Sequence, residues 1–377
     1  MGQEYRDRLP CVAAKEAHPV RPAINTAETT MRVLVAMSGG VDSSVVALML
    51  QQQGHDVVGV FMRNGVAGKS AQEKSCCSAS DARDASVVAD RLGIPFYAVD
   101  YEQEFARLMD HFAAEYRAGR TPNPCVLCNQ DLKFGHLFKL ADDVGAEMVA
   151  TGHYAVAQDG ELHLAADADK GQTYYLFGVE RAALQRTLFP LGGMTKAEVR
   201  AVASEANLVT AAKAESMDIC FVTSGDYRDV VRTRGGAGKP GKFVDAFGKV
   251  LGEHNGLDGF TVGQRKGLPA LGTPHYVASI APDSGDVTLV PREGLQRSVM
   301  FVDGVRWLVD APTDSDAFAS DVKVRARHVP VAAKVTPEGT KVRVEFAEPV
   351  EAITPGQAAV FYRGTQVLGG GWIDGSA

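Results

Sequence analysis

A short apolar run at residues 33–37 ends on Ser38-Gly39-Gly40-Val41-Asp42-Ser43-Ser44, and residues 43–53 continue with helical composition. A buried strand that turns through two adjacent glycines straight into a helix leaves few folds open. The glycines let the backbone approach an anion, the first helical turn offers unpaired N–H groups at its positive end, and Ser38, Ser43 and Ser44 add hydroxyls. These are the parts of a phosphate cradle. It is not the Walker loop, G-x-x-x-x-G-K-[ST]: the loop has no lysine, and the only Gly-Lys-Ser, at residues 68–70, has Arg63 where the first glycine should stand. A plain glycine turn capped by Ser38 and Asp42 is the competing explanation. A carboxylate beside a phosphate repels it, so Asp42 is expected to act through Mg2+ or a held water.

Further strands at residues 55–62, 95–99 and 147–151 alternate with helices at 80–92, 105–117 and 132–144, which implies right-handed crossovers and a parallel α/β sheet with its sites at the strand ends. Residues 119–129 read as a Pro-rich loop. Past about residue 210 glycine and proline become frequent and the apolar runs shorten, which reads as a β-rich or mixed segment. From about residue 287 short alternating stretches separated by turn signals suit an antiparallel barrel. The expected division is a disordered extension at 1–30, an α/β domain at 31–212, a small central domain at 213–290 and the barrel at 291–377. Residues 1–30 mix charges, prolines and alanines without the apolar core of an export signal, and no apolar run reaches the roughly 20 residues of a membrane span. A cytoplasmic protein with no membrane association is expected.

In that compartment the six cysteines, Cys11, Cys76, Cys77, Cys125, Cys128 and Cys220, are expected as reduced thiols. Cys125 and Cys128 stand three apart behind Pro122 and Pro124, where prolines lower the entropy lost in positioning a loop. A lone Cys220 would pass as a small buried hydrophobe. Paired with a cradle that activates a carbonyl oxygen, however, two thiols supply the nucleophile that activation lacks. Cys76 and Cys77 are adjacent and read as structural or incidental.

Ser38 to Ser44 resembles the pyrophosphate loop of the PP-loop, or N-type, ATP pyrophosphatases, which split ATP between its α and β phosphates and adenylate a carbonyl oxygen. With Phe61-Met62, Asn123-Pro124, Leu127-Cys128-Asn129, Thr151-Gly152-His153-Tyr154, Gln172 to Leu176, Ser216 to Phe221, Thr261 to Gly267 and Thr354-Pro355-Gly356-Gln357, the chain from residue 31 onward resembles the bacterial tRNA-specific 2-thiouridylase family. That family makes 2-thiouridine at the wobble position of tRNA. The resemblance implies a PP-loop domain, a small central tRNA-binding domain and a C-terminal β-barrel. It implies ATP at Ala36, Met37, Ser38, Gly39, Gly40, Val41, Asp42 and Ser43, with Met62 and Gly152, and Mg2+ beside them. Cys220 would carry a persulfide, with Cys128 as its partner. Asn123, Pro124 and Cys125 would face the target base, and His153, Lys170, Gly171, Gln172, Arg325 and Gln357 would touch tRNA. A sulfur-donor protein is the other expected partner, and a monomer the expected state.

The chain departs from the family pattern at Cys125 and Gly171, where Asp is common, and at Ala326, where an aromatic is. Related thiolases carry CxxC, and there Cys125, Cys128 and Cys220 would hold three irons of a [4Fe-4S] cluster. Persulfide chemistry is preferred over the cluster, and both stay open. Gln264-Arg265-Lys266 and Arg232, Arg234 and Lys239 suit RNA backbone contacts or an ordinary solvated face on a chain of net charge −7. An amidating PP-loop enzyme and a nucleotide-sensing tRNA binder are the rival functions.

Overall fold

The computed structural model describes residues 30–65, 78–215, 219–222 and 225–377. The expectations for residues 1–29, for Cys76 and Cys77, and for 216–218 lie outside these. Strand β1 (Arg32–Ala36) leads into helix α1 (Val41–Gln52), followed by β2 (Asp56–Arg63), α2 (Ala79–Leu92), β3 (Phe96–Asp100) and α3 (Glu102–Arg117). After α4 (Pro124–Leu127) comes a π-helical stretch at Cys128–Phe134, then α5 (Gly135–Asp143) and β4 (Met148–Ala150). A hairpin of β5 (Val156–Gln158) and β6 (Glu161–His163) precedes α6 (Arg181–Gln185), β7 (Thr187–Leu188) and α7 (Lys196–Glu205).

The first sheet runs β3-β2-β1-β4-β7, and every pairing in it is parallel. Its central strands are nearly continuous apolar runs because helices cover both faces. Val33, Val35, Val45, Val46 and Phe61 pack with Val88 and Val199 on one side, while Leu34, Val58, Val60 and Val149 pack with Leu137 and Ala141 of α5 on the other. The chain proceeds outward from β1 through β2 to β3, then returns to the opposite side of β1 with β4. The crevice at the ends of β1 and β4 is therefore the switch point where such sheets take ligands.

Residues 119–129, expected as a loop, are partly helical: Pro124 opens α4 and the helix continues through Cys128. A proline at the first helical position loses no hydrogen bond and brings a preset φ, so the second proline starts a helix instead of stiffening a loop.

A four-stranded sheet of order β10-β11-β8-β9 comes after α8 (Tyr227–Gly235), built from β8 (Gly241–Val244), β9 (Val250–His254), β10 (Tyr276–Ile280) and β11 (Val287–Val290). Strand β11, inside the span expected for the central domain, pairs with β8 and β10. The barrel proper uses β12 (Gln296–Trp307), β13 (Phe318–Lys323), β14 (Val331–Glu338), β15 (Lys341–Glu351), β16 (Ala358–Arg363) and β17 (Gln366–Ser376). It closes because β12 pairs with both β15 and β17, around Val302, Val322, Val335, Val344 and Phe361. Strand β17 also pairs with β6, so the hairpin of the first unit extends the barrel sheet. Among the described residues no helix is long and apolar enough to cross a membrane.

Candidate nucleotide and thiol site

Loop 38–44 crosses the end of β1 with Gly39 at φ +73°. A β-carbon there would fall on the Asp81 carbonyl at the start of α2, so only glycine fits. Gly40 is the N-cap of α1 and no side chain caps that end, which contradicts a turn capped by Ser38 and Asp42. The first-turn N–H groups are left for a ligand. Two hydroxyls work inside the loop: Ser44 Oγ donates to the Gly40 carbonyl at 2.8 Å and Ser43 Oγ at 3.2 Å, while the Ser38 N–H donates to Ser43 Oγ at 3.1 Å. Ala36, Met37 and Met62 lie at the ends of β1 and β2, where the Met37 N–H donates to the Val60 carbonyl. Gly152 comes after β4, and a β-carbon on it would stand 3.0 Å from the Ser43 nitrogen and the Asp42 β-carbon. The ATP residues expected from sequence thus come together at the switch point. Gly39→Ala should cost at least ~1–2 kcal/mol from the left-handed backbone alone, with weaker ATP binding. Thermal melts and nucleotide titration check this, and two unchanged values would contradict the cradle.

Asp42 has a cation partner that the sequence did not reveal. Lys196 Nζ, at the first turn of α7, reaches both carboxylate oxygens at 2.7 and 2.8 Å, and the Tyr154 hydroxyl donates to the same group at 2.9 Å. Burial, the Asp42 charge and that hydrogen bond all push the Tyr154 phenol pKa up, so it remains a donor. Lys196 also reaches Glu215 at 3.2 Å, and Glu215 accepts from Lys170 at 2.7 Å. The hydrogen bond from Lys170, helped by Lys196, outweighs burial and holds the Glu215 carboxyl below its usual range. On the other flank Lys213 donates to the Gly39 carbonyl at 2.9 Å and pairs with Asp81 at 2.6 Å and with Asp84. Burial draws its ammonium pKa down, and the two carboxylates outweigh that and raise it. A ring of alternating charges therefore surrounds the loop, and it ties the segment leading to Cys220 to the cradle at Lys213 and Glu215.

Several residues expected on tRNA hold this frame in place. Gln172 exchanges hydrogen bonds with the Tyr154 backbone, its side chain accepting from Tyr154 N–H at 2.9 Å. Lys170 is engaged by Glu215, and a β-carbon on the neighbouring Gly171 would meet only the Ala168 and Asp167 carbonyls, at 3.6 and 3.7 Å. Gln357 Nε2 donates to the Thr121 carbonyl at 2.9 Å, so the barrel clamps the segment ahead of Asn123. Arg325 donates to the Glu351 carbonyl at 2.8 Å.

His153 accepts from or donates to Thr151 Oγ1 at 2.8 Å and packs against the Phe134 and Phe189 rings. Burial, with Lys133 nearby, lowers its pKa well below 6.5 and keeps the imidazole neutral. The unfolded chain takes up a proton near pH 6.5 that the folded one refuses, so this residue's contribution to stability is complete above about pH 6.5 and is lost as pH falls below it. Melting curves of His153→Gln should fall less steeply with acid than wild type; parallel curves would contradict the assignment.

Cys128 and Cys220 both border the apolar cluster of Tyr101, Phe105, Phe112, Leu132 and Phe221, and Met62 from the nucleotide side borders it too. Phe221 locks this contact, its ring lying edge-on to Phe105 and Phe112. Cys125, Cys128 and Cys220 are half-buried and are not joined in a disulfide. Asn123 and Pro124, next to Cys125 in the chain, are buried. The Tyr175 phenol pKa is raised by burial and by Cys125, with Arg327 acting the other way. Among the described residues no three His, Cys, Asp or Glu side chains gather to hold a metal ion.

A phosphate cradle at the switch point of an all-parallel sheet, with paired thiols at the same edge, defines a PP-loop α/β protein. Family models described as tRNA methyl transferase HUP domain, tRNA methyl transferase PRC-barrel domain and aminomethyltransferase beta-barrel domain match residues 31–224, 229–291 and 297–373. Proteins called tRNA-specific 2-thiouridylase MnmA are similar along almost their whole length: 44% identity in Rhodopirellula baltica, covering 91% of this chain and 96% of that one, and 45% in Geobacter metallireducens, covering 93% and 98%. The chain belongs to the tRNA-specific 2-thiouridylase family.

Proposed function

We propose that this chain replaces the C2 oxygen of the wobble uridine of tRNA with sulfur, consuming ATP and releasing AMP and pyrophosphate. The observation that carries the reading is the convergence of cradle and thiols: Met62, next to last in the strand beside the phosphate loop, packs on the cluster that Cys128 and Cys220 border. In this reading the N–H groups at the start of α1 and the Gly39-Gly40 backbone hold the departing pyrophosphate, and Mg2+ arriving with the triphosphate neutralises its charge. Lys196 keeps Asp42 from repelling the nucleotide. Asn123 and Cys125 face the extruded uridine, whose C2 oxygen attacks the α-phosphate. A Cys220 persulfide, loaded by a sulfur-donor protein, then attacks C2 and AMP leaves. Cys128 attacks Cys220 Sγ and releases the thiolated base.

The names of the family's relatives point to thiolation and the descriptions of the matching family models to methyl transfer. Methyl transfer needs neither a pyrophosphate cradle nor paired thiols, so sulfur transfer is the better account. The test supplies persulfide-loaded enzyme, ATP and unmodified tRNA, and measures 2-thiouridine by mass spectrometry together with AMP. Equal yields of the two are expected. AMP without thiolated base would favour the amidating rival, and neither product would favour a nucleotide sensor.

A further inference from the structure

We propose that Cys125 is a resolving thiol, which regenerates Cys220 by thiol–disulfide exchange so that each turnover's oxidising equivalents leave through a Cys125–Cys128 disulfide. The proposal rests on the thiolation reading above. Its basis is the helical turn at a place where sequence patterning reads loop. Pro124 opens the helix, Cys128 has helical angles of φ −59° and ψ −43°, and its N–H donates to the Cys125 carbonyl. Residues three apart on such a turn share one face, with β-carbons roughly 5–6 Å apart. A disulfide needs β-carbons about 3.5–4.5 Å apart, so the turn has to close by about 1–2 Å to join this pair. Cys128 is also the thiol that borders the same apolar cluster as Cys220. It is therefore the thiol that shares a helical turn with Cys125 and an apolar cluster with Cys220. An Asp at position 125, as in the family pattern, has no sulfur with which to take part.

Atoms and electrons balance at each step. Attack of the Cys128 thiolate on Cys220 Sγ breaks the bond to the transferred sulfur, which keeps the electron pair and becomes the C2 thiocarbonyl; two thiols are thereby oxidised to a Cys128–Cys220 disulfide. The Cys125 thiolate attacks Cys128 Sγ, forms the Cys125–Cys128 bond and expels the Cys220 thiolate, with no net redox change. A dithiol reductant, small or protein-borne, then reduces the helical disulfide. Cys220 can take the next sulfur before that reduction occurs.

A single turnover without reductant, quenched with acid and an alkylating agent and read by peptide mass spectrometry, tests the step. Wild type should show the Cys125–Cys128 disulfide with Cys220 alkylated. Cys125→Ser should accumulate Cys128–Cys220 and, with limiting dithiothreitol, slow its later turnovers several-fold relative to its first. Wild type trapped as Cys128–Cys220 with Cys125 alkylated would overturn the proposal, as would iron and acid-labile sulfide held by all three cysteines after anaerobic purification. If no 2-thiouridine forms, the functional reading fails, and the exchange is judged separately by equilibrating the protein alone in a glutathione buffer. There Cys125–Cys128 should form in preference to Cys128–Cys220, and the reverse preference would refute it.

Discussion

Cys220→Ala should form no 2-thiouridine while binding ATP with near wild-type affinity. The thiol is the only part of Cys220 that can carry sulfur, and removing it leaves the adenylated base without a nucleophile. The loss should therefore reach the detection limit and not a mere fraction of the rate. Packing should change little, because Cys220 is only half-buried at the margin of its cluster, whereas Phe221, 4% exposed, carries the ring contacts that seat the segment. Nucleotide contacts lie across Met62 at the loop and are untouched. The measurement pairs ATP titration with mass spectrometry of the tRNA nucleosides. Thiolation retained in this variant would remove Cys220 from the mechanism, and loss of ATP binding along with thiolation would mean that the substitution had damaged the fold.

Lys196→Met should lower AMP formation by roughly 10²–10³-fold, the usual effect of deleting one preorganised group at a site of developing charge. The Lys196 side chain is 13% exposed and bonds both Asp42 oxygens. Without it, a partly buried carboxylate faces the incoming triphosphate uncompensated, and breaking such a pair is costlier than never having made it. A second substitution separates two roles of the ammonium. If neutralising Asp42 is its whole effect on binding, Lys196→Met with Asp42→Asn should recover much of the ATP affinity, because no stranded charge remains. The rate of AMP formation should stay low, since the double variant also lacks the Asp42 carboxylate expected to act through Mg2+. Pyrophosphate release assayed beside equilibrium ATP binding distinguishes the cases, and a wild-type rate in Lys196→Met would remove this lysine from the chemistry. The position is notable because the loop itself has no lysine of its own, and the fold brings one from α7.

Much of the first unit is legible in the sequence for a local reason. The apolar run, the two glycines and the helix after them are neighbours along the chain, so β1, the cradle and α1 lie within one or two residues of expectation. The alternation of strands and helices likewise announces a parallel sheet, because strands covered on both faces must be apolar throughout. The segment from Pro124 to Cys128 went the other way. Two prolines and a pair of cysteines score as loop, yet a proline at the first helical position is a start signal whose meaning depends on the residues downstream of it. The π-helical stretch has no pattern of its own by which it could be anticipated.

The residues named for tRNA illustrate a second limit. Gln172, Lys170 and Gln357 each stand where the family pattern puts them, and each spends hydrogen bonds on the protein: Gln172 on Tyr154, Lys170 on Glu215, Gln357 on Thr121. A motif records that a residue type is used and leaves open whether the partner is substrate or scaffold.

From the amino-acid order alone came the phosphate loop, the class of sheet that bears it, the thiols available for chemistry and the family they jointly define. All of these are short-range signals, carried by residues within a turn or strand of each other. Tertiary structure alone decided that Lys196 reaches Asp42 across 154 residues, that Gln357 clamps Thr121 across 236, and that β6 joins the barrel through β17. Single lysines, glutamines and edge strands have no periodicity, and their partners are chosen by which surfaces the packed core brings within hydrogen-bond range.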